Sequence, residues 1–398
     1  MSQVYPERLR IAKRPAHEFA AELDQVIRRK VGELIQAALE AEVDEALQRL
    51  RYERSSTADG YRDGHDPERS VVTGTGSIAF RRPRVRGAEF TSQLIPPYRR
   101  RLPTIDKTLN QLWIEGLAHR DFEPTLRGLL GETAPLSPST IARVNAEFQT
   151  EFTAWKGRRI DDQRFVYLWA DGVHLGAGPA DERRVLMVII GADADGIKHL
   201  VALDEAMSES ELSWTEILSD LVRRGLRPPL LIVGDGAHGL WNAATRVFPE
   251  AAQQRCWLHK QRNVLDKVPQ KHQPTVHAAL REIMHAETEA LARTQCEALA
   301  QQLQRDYPNA AACLRDDLDR MMTYYRFPQA SWKSLRTTNV IESVFAPVRL
   351  RTNAAKRFRT GRSVTYLVYA LITRLSKSWR RLDGHRTIAD VLAQPTAA

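Results

Sequence analysis

Residues 230–236 constrain most strongly what this chain can fold into. Residues 230–233 form a continuous apolar run, Leu-Leu-Ile-Val, and Gly234, Asp235 and Gly236 follow directly. An apolar run without alternation is typical of a strand covered on both faces, which favours a parallel sheet. Asp235 would then lie just beyond the carboxyl end of the strand, where α/β proteins place ligand-binding groups. The alternative is that Asp-Gly is only a turn.

The residues on either side of this run predict an α/β domain. In chain order, the predicted elements are strands at 165–170, 184–190 and 198–203, a helix at 213–224, the strand at 230–233, a helix at 237–247, a strand near 253–256 and a helix from His259. Short links between the first three strands favour an antiparallel meander. The order β-β-β-α-β-α-β-α is that of a ribonuclease H-like fold.

Two aspartates are the candidate functional residues of this domain. Asp171 follows the first predicted strand and Asp235 follows the fourth, and these two strands are neighbours in a ribonuclease H-like sheet. Two adjacent carboxylates repel each other unless a cation joins them. Mg²⁺ or Mn²⁺ suits such oxygen ligands, and two ions together can activate a nucleophile and stabilise the leaving oxygen at phosphorus. The pair therefore predicts metal-dependent chemistry on phosphodiester bonds.

Glu342 is the third candidate carboxylate, near the start of a predicted helix. Residues 343–382 contain no Asp or Glu, so Glu342 precedes a long basic segment. The residues of that segment that we predict to contact DNA are Arg349, Arg351 and Arg357. The alternative is a surface ion pair between Glu342 and an arginine, which contributes about 0–1 kcal/mol. A metal-binding glutamate beside arginines that hold DNA phosphates is the more specific hypothesis.

The sequence pattern of the N-terminal region, residues 1–69, predicts a helix followed by a loop. Apolar residues recur at 3- and 4-residue spacing between residues 27 and 50, which is typical of a helix that packs against a core or forms a dimer. Residues 51–69 are polar and contain Gly60, Gly64 and Pro67, so they predict a loop.

Residues 70–106 predict a β-hairpin and a basic segment. Two β-prone runs flank Gly74 and Gly76, which is a hairpin pattern. A proline-interrupted segment follows, and its basic residues suit contact with a phosphate backbone because the charge is of one sign. The arginines that we predict to contact DNA there are Arg81, Arg82, Arg84 and Arg86. The alternative is a solvated basic face.

Residues 107–155 have the pattern of a helix-turn-helix. Apolar residues from Leu109 predict a first helix, and residues 122–131 predict a second. A third helix would begin with Ser137 as the N-cap and Pro138 at the first position. The residues at its start that would meet base edges and phosphates are Ser139, Thr140 and Arg143. The alternative is a three-helix packing unit that does not bind DNA.

The pattern of residues 261–330 is helical almost throughout. Such a segment is too long for a simple connection within one domain, so we interpret it as an all-α insertion. The catalytic domain would then comprise residues 156–260 and 331–398.

Composition favours a nucleic-acid partner. The 398-residue chain has a formal net charge of +9 and a pI of about 9.5, and basic chains of this size bind nucleic acids or anionic membranes. No apolar run approaches the ~18 residues that span a bilayer, and three cysteines imply no disulfide framework. We expect a cytoplasmic protein, associated with the nucleoid when DNA is bound, that does not act at a membrane.

The sequence resembles the Mutator-type transposases of bacterial insertion sequences over nearly its whole length. The motifs that carry the resemblance are Tyr-Leu-Trp-Ala-Asp-Gly at 167–172, Val-Gly-Asp-Gly at 233–236, Arg-Cys-Trp-Leu-His-Lys at 255–260, Leu-Arg-Thr-Thr-Asn-Val-Ile-Glu at 335–342 and the arginine-rich segment after it. Each motif alone is weak, but together they are specific. One departure is the apolar, proline-containing run at 343–347, where many family members continue with arginines.

The resemblance implies a function and its residues. Asp171, Asp235 and Glu342 would form a metal-binding Asp-Asp-Glu triad that cleaves one DNA strand at the element end. The freed 3′-hydroxyl would then attack a second phosphodiester bond. Terminal repeats and target DNA would be the partners, residues 60–64 would belong to the end-binding region, and pairing two ends implies at least a dimer.

Cys256 and His259 form a Cys-x-x-His pair that the family shares. Two ligands are too few for a structural zinc site, so we interpret the pair as positioning a group or contacting DNA near the site.

The rival functions are a DNA-binding regulator without catalysis, a structure-selective nuclease that cuts without joining, and an inactive transposase copy.

Overall fold

The computed structural model describes residues 16–50, 52–53, 60–115, 138–174, 185–355 and 361–393. Its contacts divide the chain into two units, residues 1–144 and 145–398. The predicted second helix of the helix-turn-helix lies outside the described residues. So do the side chains of four residues predicted to contact DNA, namely Ser139, Thr140, Arg143 and Arg357.

The described part of the first unit is a long helix with two antiparallel strand pairs and a second helix. Its elements are α1 (Ala16–Ala46), β1 (Tyr61–His65), β2 (Arg69–Thr73), β3 (Gly76–Phe80), β4 (Pro83–Arg86) and α2 (Pro103–Glu115). The predicted hairpin is confirmed as β2 and β3. Leu39 of α1 packs with Val71, Ile78 and Phe80 of the hairpin and with Ile95, so the apolar stripe has the predicted packing role.

The prediction of a loop over residues 51–69 is wrong for its second half. Residues 61–65 form β1, which pairs antiparallel with β4 through Tyr61 opposite Arg86. Gly60 has φ +92°, and a Cβ there would lie 2.9 Å from the backbone nitrogen of Ala88. The strand depends on a partner strand whose paired residues lie 18 to 25 positions later in the chain, so its local polar composition does not indicate it.

The second unit alternates sheet and helix and then continues as helices. Its strands are β5 (Phe165–His174), β6 (Val185–Asp193), β7 (Lys198–Ala206), β8 (Leu231–Gly234) and β9 (Ala252–Arg255). The helices up to the predicted insertion are α3 (Pro138–Gly157), which crosses the boundary between the units, α4 (Glu211–Arg223), α5 (His238–Val247) and α6 (Trp257–Leu265). The later helices are α7 (Gln273–Met284), α8 (Glu289–Gln304), α9 (Pro308–Arg315), α10 (Leu318–Met322), α11 (Trp332–Leu335), α12 (Asn339–Ala355), α13 (Gly361–Ser376) and α14 (Ile388–Ala393). Short 3-10 turns lie at Gln270–His272, Thr323–Arg326, Gln329–Ser331 and His385–Thr387.

The central sheet is mixed, with the strand order β7-β6-β5-β8-β9. The first three strands are antiparallel neighbours, as their short links predict. Strand β8 pairs parallel with β5, Tyr167 lying opposite Leu231, and β9 pairs parallel with β8. The prediction that the first and fourth strands are neighbours is therefore confirmed, and the domain is of the α/β class.

Helices α4 and α5 cover one face of this sheet with an apolar core. Trp214 and Leu218 of α4 and Trp241 of α5 join Leu168 and Ile189 of the sheet in one buried cluster. Ser210 caps α4 by accepting a hydrogen bond from the backbone of Ser213. Between β9 and α12 the described chain is helices and turns, as expected for the predicted insertion. Among the described residues, no helix combines the length and apolar character needed to cross a membrane.

Candidate active site

The structure brings together three carboxylates at one end of the central strands. Asp171, Glu209 and Asp235 each offer one oxygen, and these oxygens all lie within 4.8 Å of one another. Asp235 follows β8 directly, as predicted. The prediction that Asp171 follows its strand is wrong, because β5 continues to His174 through pairing with β6 alone. On its other side, the pairing of β5 with β8 ends at Trp169, which leaves that side of Asp171 open.

Glycines allow the chain to pack closely around Asp235. Gly236 has φ +107°, and a Cβ there would collide with the Arg255 guanidinium, so a side chain is excluded by both conformation and space. The Asp235 carboxylate accepts a hydrogen bond from the backbone of Ala237 at 2.9 Å, which fixes the turn into α5. The Asp-Gly dipeptide is thus a turn as well as part of the candidate site.

Burial and mutual repulsion disfavour ionisation of these carboxyls. Burial first, and the Asp235 charge second, raise the pKa of Asp171 to about 8. Burial followed by the Asp235 charge also raises the pKa of Glu209 to about 7. Ionising these carboxyls beside other negative charges costs free energy, and a bound cation would stabilise their charged forms.

Glu342 lies in a neighbouring group with Cys256 and His259. The ligand atoms of these three residues are within 4.8 Å of one another, and His259 Nδ1 is 3.7 Å from Glu342 Oε1. The Thr338 hydroxyl lies 2.8 Å from Glu342 Oε1 and 3.2 Å from Cys256 Sγ, so its single proton can be donated to either. The sequence offered the Cys-x-x-His pair no third partner, whereas the fold supplies Glu342.

The two groups share an electrostatic environment. The charge of Glu342 is among the causes that raise the pKa of Asp171. Burial lowers the pKa of His259, and the charges of Glu342 and Asp235 partly oppose that effect. Burial of His259 therefore favours its neutral imidazole, in which one ring nitrogen donates and the other accepts a hydrogen bond according to the tautomer.

Buried hydrogen bonds hold the glutamate helix against the sheet. The indole of Trp169 in β5 donates to the Ser334 carbonyl at 3.2 Å, and the backbone of Trp257 donates to the Arg336 carbonyl at 3.0 Å. Arg255 of β9 is buried and forms an ion pair with Asp317 at 2.6 Å. These bonds place the start of α12 beside the ends of the central strands, although Glu342 is far from them in sequence.

The arginines of residues 81–86 lie beside acidic side chains. The prediction that this segment carries charge of one sign is therefore wrong. Their acidic partners come from the chain just before β2 and from β1: Arg81 with Glu68 at 3.9 Å, Arg82 with Asp66 at 2.6 Å, Arg84 with Asp66 at 3.9 Å and Arg86 with Asp63 at 3.4 Å. Each arginine still has an exposed fraction of at least 26% of its side chain.

The two described arginines of α12 differ in exposure. Arg349 is exposed, and its guanidinium carbon lies 5.8 Å from the centre of the Phe345 ring. Arg351 has only 7% of its surface exposed, so it cannot reach a DNA phosphate in this conformation. We therefore correct the predicted DNA-binding set by removing Arg351, which packs inward because the helix turns it about 200° from Arg349.

Sequence reasoning missed Glu209. It lies in the loop between β7 and α4, and β7 is an edge strand two positions away from β5. The available signal was a glutamate directly before the N-cap residue Ser210. That signal is common at helix starts, so only the fold shows that this loop reaches Asp171.

Comparison with known proteins identifies the family. The model of the Mutator family of transposases matches residues 6–382. The chain is 40% identical over 289 residues to the transposase for insertion sequence element IS6120 of Mycolicibacterium smegmatis, covering 73% of this chain and 90% of that protein. It is 29% identical over 368 residues to the transposase for insertion sequence element ISRM5 of Rhizobium meliloti, covering 92% and 91%. The chain belongs to the Mutator family of transposases.

Proposed function

We propose that this protein is an insertion-sequence transposase that cleaves DNA strands at element ends and transfers them, with Asp171, Asp235 and Glu342 as catalytic residues. The observation that carries the proposal is the meeting of Asp171, which lies in β5, with Asp235, which directly follows the adjacent parallel strand β8, in a chain of this family. An excision and integration assay in cells tests it, with a selectable marker between the DNA ends that border the gene.

The sheet supports a ribonuclease H-like assignment for the catalytic core. Three antiparallel strands are followed by two parallel ones in the order β7-β6-β5-β8-β9, with helices after the third, fourth and fifth strands. This is the element order that the sequence predicts for such a core. Helices α7 to α10 then occupy the proposed insertion before α12 brings Glu342 back to the sheet.

The donor atoms fit a hard divalent cation. Asp171, Glu209 and Asp235 offer only carboxylate oxygens, which suit Mg²⁺ or Mn²⁺. When bound, two such ions would activate the attacking oxygen and stabilise the leaving one in an in-line displacement at phosphorus. In each step one P–O bond forms as another breaks, so cleavage frees a 3′-hydroxyl that can serve as the next nucleophile.

Thr338, Cys256 and His259 are proposed to orient Glu342. The Thr338 hydroxyl is fully buried with Cys256 and reaches Glu342 Oε1 at 2.8 Å, so it restricts the rotamers of the glutamate. His259 borders the same carboxylate at 3.7 Å. A glutamate held in this way loses less conformational freedom when it joins a metal-bound DNA complex.

Thr338→Val should lower strand transfer about 10- to 100-fold, because it removes the hydroxyl that orients Glu342 without changing the volume greatly. Thr337→Val is the matched control, since the bond that the Thr337 hydroxyl makes among the described residues is a long one of 3.4 Å, accepted from the backbone of Asn339. Single-turnover strand transfer with purified protein measures the effect. Equal activity of the two variants would contradict the orienting role.

Arg349 is proposed to hold DNA beside the catalytic residues. It lies seven residues after Glu342 on α12, so it lies on the same helix face about 10 Å further along. We propose further DNA contacts elsewhere in the chain. They are the exposed arginines of residues 81–86, the predicted helix-turn-helix with Ser139, Thr140 and Arg143, and Arg357. Two element ends must be held together, which is why we propose at least a dimer.

Arg349→Ala should weaken DNA binding at all sequences and reduce the slope of log affinity against log salt by about 1, as expected for one lost phosphate contact. Arg351→Ala serves for comparison, because Arg351 is buried and its loss should lower the melting temperature while leaving the salt slope unchanged. Fluorescence anisotropy at several salt concentrations measures both. A slope that changes with Arg351 rather than Arg349 would overturn this assignment.

A further inference from the structure

We infer that Glu209 is a further metal-binding residue of this site, so that one divalent ion is held by Asp171, Glu209 and Asp235 together. This inference rests on the proposed function and adds a fourth carboxylate to the triad. Its basis is where the fold places the Glu209 side chain and which charges surround it.

Two glycines bring the Glu209 loop against the site. A Cβ at Gly172, the residue after Asp171, would collide with the Glu209 carboxylate. A Cβ at Gly239, in the first turn of α5 beyond Asp235, would lie 2.6 Å from the Glu209 carbonyl oxygen and 2.8 Å from the Glu211 nitrogen. At Gly239 the close atoms are backbone, so no side chain is tolerated there, whereas a Cβ at Gly172 would displace the Glu209 carboxylate from its place beside Asp171.

The neighbouring Glu211 shows what an ordinary surface glutamate does in this loop. Its carboxylate accepts hydrogen bonds from Asn242 at 2.9 Å and Arg246 at 2.6 Å, so its charge is balanced by a cation. Glu209 instead faces Asp171 and Asp235, and its ion-pair contact within the described residues is the exposed His174 at 3.9 Å. A cation shared among the three carboxylates would balance a charge that the protein itself leaves poorly compensated.

The arrangement separates two kinds of donor set. Asp171, Glu209 and Asp235 supply oxygen only, while Glu342 lies with the sulfur of Cys256 and the nitrogen of His259. An ion can therefore be held by three carboxylates before DNA arrives and before Glu342 takes part. Glu209 would set the affinity for that ion, and Glu342 would act on the assembled DNA complex.

Manganese binding to the purified full-length protein without DNA tests the inference. Isothermal titration with MnCl₂ would compare the wild type with Glu209→Gln, Glu209→Asp, Glu211→Gln and Asp235→Asn. We expect Glu209→Gln to weaken Mn²⁺ binding at least about tenfold, since losing a ligand should cost no less than losing a group that supports one. Glu211→Gln, which makes the same change two residues away, should bind as the wild type does.

Each outcome supports or overturns one claim. If Asp235→Asn loses Mn²⁺ binding and Glu209→Gln retains it, Glu209 is not a ligand and the proposed function stands. If neither variant changes binding, the metal site of the proposed function fails as well. Thermal unfolding without metal confirms that the variants fold, and Glu209→Asp, which keeps the charge on a shorter side chain, should bind weakly if reach to the ion matters.

Discussion

Replacing Asp235 with Asn should reduce excision and integration in cells by at least about 100-fold while binding of the DNA ends is retained. The substitution keeps the shape of the side chain and its acceptance of the Ala237 backbone bond, so the turn into α5 should survive. It removes the negative charge that the proposed metal ions require. The loss should therefore affect the chemical steps rather than folding or end recognition.

Asp195→Asn is the matched control for this experiment. Asp195 is exposed in the turn between β6 and β7, and the same loss of one charge there should leave transposition unchanged. If the wild type and Asp235→Asn are equally active, the assignment of the triad is wrong. If neither moves the marker but both bind the ends, the protein is a regulator or an inactive copy.

The sequence predicts the sheet well because its information is local. The apolar runs that end at Asp235 and continue through Asp171 each mark a strand by themselves, and short links determine the antiparallel neighbours. The family resemblance then predicts Glu342 as the third carboxylate, which no periodicity would associate with strands more than 100 residues earlier. What links it to the sheet is tertiary, namely the Trp169 and Trp257 hydrogen bonds.

Side-chain surroundings are what the sequence could not predict. Glu209 reaches the site only because Gly172 and Gly239 leave room for its loop, and neither glycine differs in sequence from an ordinary turn residue. The ion pairs of the arginines at residues 81–86 are not visible in the sequence. Their partners are Asp63 in β1 and Asp66 and Glu68 just after it, and the pairing of β1 with β4 is not locally encoded. Arg351 is buried although it is basic, because two positions along the helix turn it about 200° from the exposed Arg349.

The second large effect is on stability as a function of pH. Without divalent ions, the free energy of unfolding should fall as the pH rises from about 4 to about 8. The ordinary pKa of an aspartate is 3.8, whereas that of Asp171 is raised to about 8 by burial, by Asp235 and by the charges of Glu209 and Glu342. Over that window the native state binds more protons than the unfolded state, so each added pH unit destabilises it by about 1.4 kcal/mol per extra proton.

Mg²⁺ should oppose this trend, because it binds the ionised carboxylates of the native state. Its stabilisation should be smallest near pH 5 and largest near pH 8, reaching about 2.7 kcal/mol at a concentration 100 times the dissociation constant. Thermal unfolding between pH 5 and 8, with and without MgCl₂, measures both effects. Asp171→Asn should make the metal-free profile less steep, leaving the slope that comes from Glu209, whose pKa is raised to about 7. It should abolish the response to Mg²⁺, whereas Asp195→Asn should change neither. If Asp171→Asn keeps the wild-type slope, the pH dependence arises elsewhere and Asp171 is not the proton-binding group that competes with the metal.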